Sequence, residues 1–115
     1  MKELLKDILD NDGVNGVIIL TDEGKSIFED ISSKISMNPN EIDWNSFIDA
    51  IRGYREVELM YERGLIYVRK IEFGFMIVFM EIYTQMAMVR LNCDIVLPSL
   101  QDLKENKKYK QLFKR

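Results

Sequence analysis

Gly13-Val14-Asn15-Gly16-Val17-Ile18-Ile19-Leu20-Thr21-Asp22-Glu23-Gly24-Lys25-Ser26-Ile27-Phe28 reads as a strand, a tight turn and a second strand. Val14, Ile18 and Leu20 are expected on one face of the first strand, and Val17 and Ile19 on the other. A strand apolar on both sides belongs in the middle of a sheet that is covered on both faces. Asp22 suits the start of a turn, and Gly24 suits the left-handed position that closes a short hairpin with a bulge. The remaining chain reads as cover for this hairpin or as an extension of it.

Before the hairpin, residues 2–11 form a short helix with Leu4, Leu5, Ile8 and Leu9 on one face, and Gly13 stops it. After the hairpin, residues 31–41 are polar and read as a loop, with Asn38 capping and Pro39 opening a second helix. That helix spans roughly residues 40–54. Trp44, Phe47, Ile48, Ile51 and Tyr54 share one side of it. The stripe is broad, so Trp44, Ile48 and Arg55 are placed at an edge open to a partner.

Residues 56–62 alternate, with Val57, Leu59 and Tyr61 on one face and Glu56, Glu58 and Glu62 on the other. Met60 breaks the polar side. This is a half-buried strand. Leu65–Ile71 is a fourth strand, and Phe75–Ile82, apolar on both faces, is a fifth and central one. Short turns make these three an antiparallel meander. A last helix starts near Thr84 and carries one stripe through Met86, Val89, Cys93, Val96, Leu97, Leu100 and Leu103. A second stripe, Met88, Leu91 and Ile95, needs a cover from the first helix, from Leu112 and Phe113, or from another chain. Pro98 is expected to kink or break this helix.

The fold class is therefore α+β, with the order αββαβββα. If the two strands that are apolar on both faces join in the middle, the strands make an antiparallel sheet of order 2-1-5-4-3. One domain, residues 1–103, precedes a basic tail or frayed helix, residues 104–115. The net charge of −3 conceals this division: residues 1–103 carry 10 Lys and Arg against 18 Asp and Glu, whereas residues 104–115 carry 6 against 1. An acidic body argues against nucleic acid as the main partner. No apolar run approaches the roughly 18 residues of a membrane span, and the start of the chain does not resemble a secretory signal. Membrane insertion is not expected. The single Cys93 is read as a buried thiol in a reducing cytoplasm.

The chemistry-bearing residues are sparse. The chain has no histidine and one cysteine, so neither a histidine base nor a zinc site of ordinary spacing is available. No phosphate-binding glycine loop precedes a helix. Asp10-Asn11-Asp12-Gly13 resembles the start of a calcium loop but lacks the distal bidentate glutamate. No catalytic residue, cofactor or metal is therefore assigned, and function is sought at surfaces. In the order 2-1-5-4-3 the third strand is an edge, and an edge must be charged, covered or paired. Glu58 and Glu62 could discourage pairing. Alternatively, the edge pairs across a two-fold axis with a second copy while the second helices meet above it.

The element order and the first hairpin, Gly13-Val14-x-Gly16-Val17-Ile18-Ile19-x-Thr21-Asp22-x-Gly24, resemble the roadblock/dynein light chain family. The closing helix, with Arg90 in its first turns, is similar in layout. The resemblance implies a five-stranded antiparallel sheet of order 2-1-5-4-3 with helices on both faces, one on one face and two on the other, in a profilin-like three-layer sandwich. It implies homodimers through the third strand and second helix, and a non-catalytic adaptor or regulator of a small Ras-like GTPase. Trp44, Ile48, Arg52, Arg55, Glu58 and Met60 are the residues expected at the self-interface or partner contact. The competing readings are a profilin- or sensor-like module holding a small apolar ligand between sheet and helix, and a longin-like scaffold subunit.

Overall fold

A computed structural model describes residues 1–32 and 41–102. Eight elements follow one another: α1 Lys6–Leu9, β1 Val14–Thr21, β2 Ser26–Ile31, α2 Trp44–Ile51, β3 Glu56–Tyr61, β4 Gly64–Ile71, β5 Gly74–Met80 and α3 Met86–Asp102. The strands form one antiparallel sheet in the order β2-β1-β5-β4-β3, as expected from the two strands apolar on both faces. β1 and β5 lie at the centre of the order, and every residue of β5 is buried.

Side chains leave the sheet alternately to its two faces. On one face, Val17, Ile19, Tyr67, Met76, Val78 and Met80 pack with Leu5 and Ile8 near the first turn and with Val89, Cys93, Val96 and Leu100 of α3. On the other, Ile18, Leu20, Ile66, Val68, Phe75, Ile77 and Phe79 pack with Ile48 and Ile51 of α2. Among the described residues, two helices thus cover one face and a single eight-residue helix covers the other.

The hairpin turn closes as its residues dictate. The Gly24 amide donates to the Thr21 carbonyl at 2.9 Å, and the Lys25 amide donates to Thr21 Oγ1 at 3.1 Å. Gly24 sits at φ +87°, where a side chain is strained. The register shifts between Ile19 and Leu20, which is the expected bulge. A second shift, between Val14 and Gly16 against β5, corrects the expected face of Val14. It packs with the α1 and α3 core, while Ile18 and Leu20 face α2. An extra residue in a strand turns the side chains that precede it to the opposite face.

Three helix boundaries differ from expectation. α1 is a single turn, entered through backbone bonds from Leu4 to Met1 and from Leu5 to Lys2. Burial of Leu5 and Ile8 holds it in place, since four residues of helix are not stable on their own. α2 starts at Trp44, capped by Asp43, whose carboxylate accepts from the Ser46 amide at 3.2 Å and the Ser46 hydroxyl at 2.8 Å. Those two bonds hold the Asp43 carboxyl below its ordinary range. Asn38 and Pro39 lie outside the described residues. α3 runs on through Pro98 without ending. Pro98 and Asp94 are both exposed, so water can serve the carbonyl that loses its donor.

Candidate interface

Among the described residues, β3 pairs with β4 alone and forms one edge of the sheet. Its side chains divide by parity. Val57 and Tyr61 are partly buried in the α2 core, with Leu59 between them more exposed. Glu56, Glu58 and Met60 leave from the opposite face. Met60 is 75% exposed, an unusual position for a long apolar side chain. Tyr54, in the segment joining α2 to β3, is also largely exposed. The edge strand and its approach therefore present Tyr54, Leu59 and Met60 outward, from both sides of the sheet.

Of the residues expected at an interface, Met60, Arg52 and Arg55 are exposed. Arg52 pairs with Asp49 at 3.4 Å, one turn earlier. The backbone of Arg55 is engaged, its carbonyl accepting from the Lys70 amide at 2.8 Å. Trp44 is half-buried, edge-on to Phe47 and Phe79 with ring centroids 5.5 and 6.5 Å away. Ile48 requires correction. It is 1% exposed, packed into the sheet, and belongs to the core. The middle of the helical stripe, not its edge, runs through Ile48 and Ile51.

Glu58 is tied to Arg90 of α3 rather than standing free at the edge. It belongs to a charge cluster beneath α3 whose centre is Arg69, only 4% exposed. Arg69 pairs with Asp94 at 2.7 Å, lies 3.7 Å from Glu56, and donates to the Tyr67 hydroxyl at 3.1 Å. Tyr67 in turn donates to Glu56 at 2.7 Å. Arg90 Nε completes the cluster with an ionic neighbour only, Glu56 at 3.6 Å. Burial is the largest influence on the Arg69 guanidinium and works against its charge, but the bonds to Tyr67 and Asp94 outweigh it and raise its pKa. Burial, followed by the bond to Glu56, raises the Tyr67 hydroxyl, which stays protonated and donating. This cluster fixes α3 to both β3 and β4. Sequence reading missed it, although period-two alternation places Arg69 with Tyr67 and Ile71 on an inward face.

Burial pushes the Cys93 thiol up to about 12, consistent with a structural thiol. Among the described residues, no group of three or more His, Cys, Asp or Glu side chains could hold a metal ion. No helix among them is long and apolar enough to cross a membrane. One open cleft of about 360 Å³ lies between Asn11, Asp12, Tyr83, Gln85 and Met88, on the outside of the molecule rather than between sheet and helix.

No protein-family model matches the sequence, and no curated protein matches it. Solved structures do. MglB in a tetrameric arrangement superposes with a TM-score of 0.68 at 14% identity, over 90% of this chain and 86% of that one. The gliding protein MglB from Thermus thermophilus gives 0.68 at 14% identity, over 90% and 87%. A Roadblock/LC7 domain from Streptomyces avermitilis gives 0.67 at 10% identity, over 92% and 98%. The likeness thus spans nearly the whole of each chain, and the fold of this protein is the roadblock fold.

Proposed function

We propose that this protein works by docking, as a homodimer that regulates or adapts a small Ras-like GTPase in the cytoplasm, with no chemistry of its own. The observation that carries the reading is the β3 edge. It is the last strand of its sheet, and Met60, Leu59 and Tyr54 lie exposed beside it. Two such edges joined about a two-fold axis would satisfy each other's backbone groups and continue the sheet across the dimer. Packing α2 helices together above the joined strands would cover Trp44 and Leu59. The fold supports the GTPase reading through its likeness to MglB and Roadblock/LC7 structures. Arg52 and Arg55, exposed beside this edge, would contact the second copy or the GTPase.

The test is sedimentation of the purified full chain with each small Ras-like GTPase of the same genome, loaded with GDP or with a non-hydrolysable GTP analogue. One GTPase should co-sediment in one nucleotide state, and Arg52→Glu with Arg55→Glu should weaken that complex while leaving the fold intact. Absence of a complex with every such GTPase in both states would contradict the reading.

A further inference from the structure

Met88, Leu91 and Ile95 form a stripe along α3 that faces away from the sheet, at 44%, 50% and 64% exposure. At a rise of 1.5 Å per residue the stripe is about 10 Å long. Tyr83, also exposed, extends it at its beginning, where Tyr83 and Met88 line the cleft with Asn11 and Asp12. The rims of the stripe are acidic. α1 forms one of them, because Asn92 Nδ2 donates to the Asp7 carbonyl at 3.4 Å and brings Asp7 alongside. Asp12 continues that rim at the cleft. Lys6 of α1 is already paired with Asp10, and Lys2 with Asp30. The opposite rim is the Arg69 cluster, with Glu56, Glu58 and Asp94 set against Arg69 and Arg90. Asp102 falls on the stripe's side of the helix at its far end.

We infer that this face of α3 docks a helix of another protein, apolar along one side and basic on both flanks. The site lies apart from the β3 edge and does not rest on the function proposed above. Met88, Leu91 and Ile95 follow one another at i, i+3 and i+7, the spacing that a partner helix laid alongside meets with an apolar ridge of its own. Methionine suits such a surface, since its unbranched, polarisable side chain adapts to what it meets. The surface is also preformed. The pair between Arg69 and Asp94 at 2.7 Å and the apolar core beneath hold α3 in place, so little ordering is lost on binding.

Charge selects this occupant. Lysine or arginine on the partner's flanks would meet Asp7 and Asp12 on one rim and the half-exposed Asp94 on the other. Residues 1–103 carry 10 Lys and Arg against 18 Asp and Glu, so the same sign of charge draws a basic partner from a distance. A second α3 laid on this stripe would instead bring acidic rim against acidic rim. An anionic lipid surface would be repelled for the same reason.

The test uses the full chain with its methionine methyl groups carbon-13 labelled. The probe is a synthetic helix of about 15 residues, with leucine at the i, i+3, i+4 and i+7 positions of one face and lysine elsewhere. The Met88 signal should shift to saturation, while that of Met60, on the β3 edge, should not. Leu91→Ser with Ile95→Ser should abolish the shift. Asp7→Asn with Asp12→Asn should weaken binding about fivefold at low salt. The same peptide with glutamate in place of lysine should leave Met88 unmoved. An unmoved Met88 with the lysine peptide, equal shifts at Met60 and Met88, or an equal response to the glutamate peptide would each overturn the inference. So would a Met88 signal that moves on dilution of the chain alone, which assigns the stripe to a second copy. A Met88 signal that moves on Leu112→Asp with Phe113→Asp before any peptide is added would overturn it too, by assigning the stripe to the end of this chain.

Discussion

Both faces of the sheet pack hydrocarbon, and one of them adds directed polar bonds. Beneath α3 the sheet buries a guanidinium, and Arg69 with Glu56, Asp94, Tyr67 and Arg90 joins helix to strands through directed bonds. Beneath α2 the contacts are hydrocarbon and aromatic: Ile48 and Ile51 on Ile18, Leu20, Ile66, Val68 and Phe79, with Trp44 at the margin. Directed bonds specify one placement of α3, because a buried charge moved away from its partners is costly. Apolar packing tolerates adjustment more readily. Among the described residues that face carries one eight-residue helix, and the outer strand β3 stays largely exposed. On the function proposed above, docking belongs to the α2 and β3 side, and the α3 side supplies a fixed frame.

The largest expected effect breaks the α2 face outright. Ile48→Glu places a carboxylate in hydrocarbon with no partner, and a loss of about 4 kcal/mol or more is expected, enough to unfold many domains of this size. Urea denaturation followed by Trp44 fluorescence would measure it. A folded Ile48→Glu protein of near-normal stability would show that this face is open rather than packed.

The next effects sharpen the description of the α3 face. Asp94→Ala leaves the Arg69 guanidinium buried with Glu56 as its remaining anion, and should cost about 2 kcal/mol. Arg69→Met should cost less, because Tyr67 keeps its bond to Glu56 and the half-exposed Asp94 returns to water. If Arg69→Met proved the more damaging in the same denaturation experiment, the arginine would be an anchor in its own right.

A smaller effect belongs to the α2 cap. Asp43→Ala should destabilise the domain at neutral pH by less than Asp94→Ala does. The folded Asp43 carboxyl lies below its ordinary 3.8. Its contribution is therefore complete above the unfolded value and is lost as pH falls through the folded one. The stabilities of wild type and Asp43→Ala should converge in that acid range, and a gap independent of pH would mean that the cap works without its charge.

Much of this architecture was legible in the chain. β1 and β5 are apolar at both parities, which places them side by side in the middle and leaves β2 and β3 as edges. Periodicity is less informative where a local event resets it. The bulge between Val14 and Gly16 turned Val14 to the other face, and no residue type announces such a shift. A helical wheel groups Trp44, Phe47, Ile48 and Ile51 but does not give the direction of the sheet, so it does not distinguish the rim of the stripe from its middle, where Ile48 lies. Pro98 reads as a breaker, yet it lies on the outer side of α3, where its cost is lowest. At the β3 edge, exposure of Met60 follows from its place among the glutamates of the strand. The tie between Glu58 and Arg90 did not, because it joins residues 32 positions apart.

The smallest expected effect on stability carries the largest consequence for assembly. Met60→Lys, at an exposed edge position, should change the unfolding free energy by no more than about 0.5 kcal/mol. Light scattering over a wide concentration range, giving the molar mass of wild type and of Met60→Lys, decides whether the β3 edge joins two copies. Wild type should weigh twice the 13.6 kDa chain, and Met60→Lys should shift toward the single-chain mass. A wild-type protein that stays at the single-chain mass at every concentration, or a Met60→Lys dimer as tight as wild type, would contradict the assignment of docking to the β3 edge.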